Sequence, residues 1–124
     1  MPGAAFPARL RLPNQYAFKQ VFDTPDWRIS TPSLVALARR NTLPHPRLGL
    51  VVGKKSCRLA SQRNRIKRLL RECFRQRQWD FAGIDIVLLV RSGLSPLDNA
   101  EITEQSTRVC NRLLKRIQEQ EAAR

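Results

Sequence analysis

Between Arg63 and Arg77 the chain reads RNRIKRLLRECFRQR, with seven basic side chains against one acid, Glu72, and with apolar residues at helical spacing. At about 100° per residue, Ile66, Leu69, Leu70, Cys73 and Phe74 fall within an arc of roughly 140°, wide enough to seat a helix on a core. The segment is therefore expected to pack by one face and to present cations on nearly all of the rest. Arg63, Lys67, Arg71 and Arg75 recur every fourth residue and form one ridge, with Arg65 and Arg68 on its flank. Like charges at that spacing repel by about 0.2–0.5 kcal/mol per pair, so the arrangement makes physical sense when a polyanion neutralises it. A face kept only for solubility mixes Glu with Lys. Here Arg dominates, and its planar fork matches phosphate oxygens.

The charge of the whole chain agrees. Net charge is +13 over 124 residues, with a pI near 11.3, an excess that selects nucleic acid or an anionic membrane as partner. A membrane is disfavoured, since no apolar run approaches the roughly twenty residues of a spanning helix and the N-terminal MPGAAFPARLRLP has no continuous hydrophobic region of signal-peptide type. The expected location is the cytoplasm. Cys57, Cys73 and Cys110 are odd in number and lack CxxC spacing, so they read as small hydrophobes, not as a disulfide frame. His45 lies between Pro44 and Pro46, and no zinc site is expected from it. Gly53-Lys54-Lys55-Ser56 is no phosphate-binding loop, because Leu48 stands where that motif needs Gly and Lys55 where it needs Ser or Thr. No spacing of His45 with a nucleophile and an acid points to a triad, so no catalytic residue is expected.

Along the chain, residues 1–13 read as a flexible basic arm and residues 14–121 as a single RNA-binding domain. Asn14 is placed to cap a helix through about Asp23 that carries Phe18, Val21 and Phe22 on one face. Trp27 and Ile29 alternate with polar residues, Ser33 to Arg39 forms a second strand, and Arg47 to Lys54 a third, with Gly49, Val51 and Gly53 on one side. Ser61 is expected to cap the arginine-rich helix, which runs to about Gln78. Ile84 to Val90 is the most hydrophobic strand and should be central. Ser95-Pro96 would open a last helix over about 97–120 that buries Ile102, Val109, Leu113, Leu114 and Ile117. Asp85 is expected to cap or pair locally, and Glu101, Glu104, Glu119 and Glu121 to be solvated. The order helix-strand-strand-strand-helix-strand-helix predicts an α+β, mixed α/β two-layer domain with helices packed on a four-stranded sheet.

The string Arg63-Asn64-Arg65-Ile66-Lys67-Arg68-Leu69-Leu70-Arg71-Glu72, preceded by Arg47-Leu48-Gly49-Leu50-Val51-Val52-Gly53-Lys54-Lys55, resembles the protein subunit of bacterial ribonuclease P. The resemblance extends to Phe18-Lys19-Gln20-Val21-Phe22, to the strand Asp85 to Arg91 and to the final amphipathic helix. It implies a cofactor protein for a catalytic RNA that removes the 5′ leader of precursor tRNA, with chemistry residing in the RNA and Mg2+ required by the RNA-containing holoenzyme. It also implies a left-handed crossover into the arginine-rich helix, against the usual preference. By the family's pattern, Arg63, Asn64, Arg65, Lys67, Arg68 and Arg71 would face the catalytic RNA, with Lys54 and Lys55 extending that surface. Phe18, Phe22 and Leu37 match a cleft that takes the single-stranded leader, where bases stack on rings at about 1–3 kcal/mol each.

Taken without the resemblance, two Phe residues four apart read as core in preference to a cleft. A structural RNA-binding protein of ribosomal type shares the same charge and plan. A duplex-DNA reader is disfavoured, because many cations with few base-reading side chains give affinity without specificity. An independent nuclease lacks a catalytic cluster.

Overall fold

The computed structural model describes residues 6–94 and 97–123. Asn14 opens α1 (Gln15–Asp23), its side-chain oxygen accepting the Ala17 amide at 2.9 Å. The alternating segments become β1 (Trp27–Ser30) and β2 (Leu34–Arg40), joined by a turn in which the Thr31 hydroxyl accepts the Leu34 amide at 2.9 Å. β3 (Arg47–Val51) and β4 (Ile84–Val90) complete a four-stranded sheet in the order β1-β2-β4-β3. β4 is central, parallel to β3 and antiparallel to β2. α2 (Ala60–Gln76) connects the two parallel neighbours, and α3 (Asn99–Ala122) closes the domain.

Period-2 alternation gives the sheet two faces. One carries Ile29, Leu34, Ala36, Ile86 and Leu88, and buries Ile66, Leu70 and Phe74 of α2 with Ile102, Val109 and Leu113 of α3. The other carries Val35, Leu37 and Val87, which α1 covers with Ala17 and Val21. The helices therefore lie on both faces, α2 and α3 making the larger layer.

Several boundaries differ from expectation. Residues 6–13 pack against the domain: Leu10 is fully buried, Leu12 nearly so, and the Leu12 amide donates to the Leu48 carbonyl at 3.0 Å. The packed unit thus begins before Asn14. Ser61 is not a cap. The helix starts a residue before it, with Leu59 at the N-cap and no capping side chain, because a turn in which Gly53 O accepts the Ser56 and Cys57 amides delivers the chain early. At the other end, Gln78 bonds the Arg75 carbonyl at 2.8 Å and residues Gln78–Phe81 tighten into a 3-10 turn, so α2 stops at Gln76. The Ser95-Pro96 start of the last helix lies outside the described residues. The observed cap is Asp98, which accepts the Glu101 amide at 2.8 Å while Glu101 reaches back to the Asp98 amide at 3.3 Å. Glu101 is thus a capping residue, and Glu121 is bound by Arg40.

Cys73 and Cys110 belong to α2 and α3, and burial is the main cause that raises both thiols, Cys110 to about 11. In the folded protein at pH 8 these thiols should react with an aromatic disulfide reagent far more slowly than in denaturant. Equal rates in the two conditions, followed by absorbance, would contradict the packing of this seam.

Candidate nucleic-acid interface

The cationic surface is built on α2. Its apolar stripe faces the sheet, which turns the opposite side to solvent: Asn64 and Arg68 are exposed, and Lys67 and Arg71 half-buried. Lys54 and Lys55 are exposed in the turn that leads from β3 to the helix. Among the described residues, the side chains of Lys54, Lys55, Asn64, Lys67, Arg68 and Arg71 make no hydrogen bond or ion pair. Their charge and donors are open to a partner.

Other basic residues of the helix are occupied. Arg63 donates through Nη1 to the Cys57 and Arg58 carbonyls, both at 3.0 Å, and so ties down the loop that carries Lys54 and Lys55. Arg65 donates to Gln62, Asn99 and Leu97. Arg75 is bidentate to Glu72 at 2.6 and 3.1 Å. Glu72, the lone acid between Arg63 and Arg77, is therefore matched, and the Arg75 bonds are the leading cause that lowers its pKa. Arg71 lies with Phe6, Arg11, Arg68, Glu72 and Arg75 around a cavity of about 260 Å³. Burial, then the nearby Arg11 cation, lowers the Arg71 pKa from the ordinary guanidinium value. The cavity carries an excess of positive charge, with four arginines against the single carboxylate of Glu72.

The second feature follows from register. On the α1 side of the sheet, three cross-strand rows lie in succession: Arg39, Asp85 and Arg47; Leu37, Val87 and Gly49; Val35, Leu89 and Val51. α1 covers the middle row. Phe18 is half-buried, its ring lying directly over Gly49, where an added Cβ would sit 2.5 Å from the ring Cε1. Phe22, one turn further on, is 42% exposed. Leu37, in contrast, is only 3% exposed beneath α1, so it belongs to the buried layer and does not line an open surface. Phe18, Phe22, half-buried Leu89 and exposed Val51 leave an apolar border beside α1.

On the other flank of α1 an open cavity of about 470 Å³ is bordered by Tyr16, Gln20, Arg39, Asn41, Arg47 and Asp85. Its polar groups are internally matched: Arg47 is bidentate to Asp85 at 2.9 and 2.7 Å, Asn41 donates to Asp85 at 2.7 Å, and Arg39 bonds Gln20 and Thr24. The sequence reading missed this network, and it also missed exposed Tyr16 and Trp79. Among the described residues, no three His, Cys, Asp or Glu side chains gather to hold a metal, and no helix is long and apolar enough to cross a membrane.

Fold and surface define a small, strongly basic α+β domain that pairs a cationic helix with an apolar, partly aromatic border beside α1. The model of the family Ribonuclease P matches residues 6–116, and the chain belongs to the bacterial ribonuclease P protein family, the protein subunit of the RNase P ribozyme that acts in tRNA processing. The ribonuclease P protein component of Stutzerimonas stutzeri is 50% identical over 105 residues, spanning 85% of this chain and 79% of that protein. That of Azotobacter vinelandii is 50% identical over 107 residues, 86% and 81% of the two chains. Among solved structures, the Thermotoga maritima RNase P protein superposes with a TM-score of 0.70 at 32% identity, over 86% of this chain and 96% of that one. The Staphylococcus aureus protein gives 0.78 at 24% identity, covering 84% and 94%, which supports the fold.

Proposed function

We propose that the subunit works by binding at two places at once: the open face of α2 docks on the catalytic RNA while the cleft beside α1 holds the 5′ leader of precursor tRNA. The observation that carries this reading is the division of the surface. Among the described residues, six side chains at one face have no protein partner, and an apolar, aromatic border stands apart from them on another element. Lys54, Lys55, Lys67, Arg68 and Arg71 supply phosphate contacts, and Asn64 a neutral donor among them. Phe18 and Phe22 supply ring surface for unpaired bases, with Leu37 buried beneath α1.

Mature tRNA lacks the leader, so cleft contacts favour substrate over product. Cations laid against the RNA also lower its need for divalent metal, and Mg2+ of the holoenzyme would then be held by RNA phosphates. The chain contributes no general acid or base in this scheme.

Phe22→Ala tests the cleft. Phe22 is 42% exposed and lies outside the buried core, so the fold should persist. The preference for a leader-bearing substrate over mature tRNA should fall about fivefold to tenfold, the lower end of the worth of one stacked base. Equilibrium binding of both RNAs to the reconstituted holoenzyme reads this out, and an unchanged preference would remove Phe22 from the leader site.

A further inference from the structure

Arg65 stands at the centre of the most basic stretch of the chain, yet all three of its guanidinium nitrogens donate inside the protein. Nε bonds Gln62 Oε1 at 2.8 Å, Nη1 bonds Asn99 Oδ1 at 2.6 Å, and Nη2 bonds the Leu97 carbonyl at 3.2 Å. Gln62 lies one turn earlier on α2, Asn99 is the first residue of α3, and Leu97 directly precedes the cap Asp98. A single planar fork therefore spans the junction of the two helices. Arg63 next to it commits only Nη1, and Lys67 and Arg68 commit nothing among the described residues.

The junction borders the docking face. Gln62 also lines a cavity of about 370 Å³ with Lys55, Arg58 and Ser92, so the loop before α2 and the segment leading into α3 meet there. α2 has no capping side chain at this end, which leaves the loop's placement to such contacts. A phosphate that drew the Arg65 fork out of this position would have to displace bonds that hold the corner together.

We infer that Arg65 is a positioning residue: it pins the start of α3 to α2, fixes the corner that presents Lys54, Lys55 and Arg58, and does not itself contact RNA phosphate. The inference rests on the proposed docking of α2 to RNA and divides labour within that face. Lysine cannot replace the fork, since an ammonium has no planar array of donors. A phosphate ligand acting by charge would tolerate that exchange far better.

The test is the affinity of the full chain for its cognate RNase P RNA over a salt series, below the unfolding temperature of every variant. Arg65→Ala and Arg65→Lys should each weaken binding about tenfold, the worth of a charged hydrogen bond, with the dependence of log K on log salt unchanged. Lys67→Ala and Arg68→Ala should each make that slope shallower by about 0.7–0.9. Asn99→Ala should weaken binding too, and less than additively with Arg65→Ala, because the two share one bond. Should Arg65→Ala not fold, Arg65→Lys and Asn99→Ala carry the same comparison.

A slope reduced by a full phosphate in Arg65→Ala and restored in Arg65→Lys would overturn the inference. So would unchanged affinity in a variant that loses only thermal stability, since that is a staple of the fold without consequence for RNA. Unchanged slopes for Lys67→Ala and Arg68→Ala would overturn the docking face itself, and the role of Arg65 with it.

Discussion

Asp85→Ala is expected to lower the free energy of unfolding by about 3 kcal/mol, the lower end of the cost of breaking a buried ion pair from one side. Asp85 is 6% exposed in the central strand, flanked in register by Arg39 on β2 and Arg47 on β3. Its two oxygens accept Arg47 Nε and Nη2, and one of them also accepts Asn41 Nδ2. Removing the carboxylate strands the Arg47 guanidinium and leaves the Asn41 amide short of an acceptor. The Arg47 side chain is 23% exposed, so water recovers part of the loss, which places the cost at the low end. Asp85→Asn keeps an acceptor and should be milder. Urea denaturation measures both. A loss below about 1 kcal/mol for Asp85→Ala would mean that solvent replaces the pair almost fully.

Gly49→Val should also cost about 3 kcal/mol, the upper end of the usual range for overpacking. The space above Gly49 is filled by the Phe18 ring and by Leu12, whose Cδ1 would be 2.7 Å from a new Cβ. A branched side chain there must push the ring away from the sheet and disturb residues that join the N-terminal segment to β3. Two effects should appear together: a lower denaturation midpoint, and a weaker preference for leader-bearing RNA because Phe18 no longer edges the cleft. Gly53, with open space where a Cβ would be, is the control, and Gly53→Ala should leave packing intact. Equal midpoints for the two variants would show that Phe18 yields freely and that its seat on Gly49 carries no energy.

Much of this architecture is readable along the chain because its causes are local. The apolar stripe of α2, the Asn14 cap and the continuous hydrophobicity of β4 each depend on residues within a turn or a strand. Asp85 is different: its partner lies 38 positions away and becomes a neighbour only through the parallel register of β3 and β4. Periodicity places Gly49 on a face but not beneath Phe18, which needs the path of α1 across the sheet. Arg65 shows the same boundary of sequence reasoning. Its spacing puts it among the cations of one helix, while its bonds to Leu97 and Asn99 depend on where α3 begins. Asp98 is legible along the chain, since Asp98-x-x-Glu101 is itself a capping pattern. Leu37 illustrates how a match to a family position specifies a neighbourhood without specifying exposure, because α1 roofs the residue.

The most direct test of a protein that acts only through binding is cleavage of a precursor tRNA at low Mg2+ by the cognate catalytic RNA, with and without this chain, beside the chain alone. The account predicts cutting at the mature 5′ end only in the mixture. Equal cleavage by the RNA with and without the chain, or cleavage by the chain alone, would contradict it.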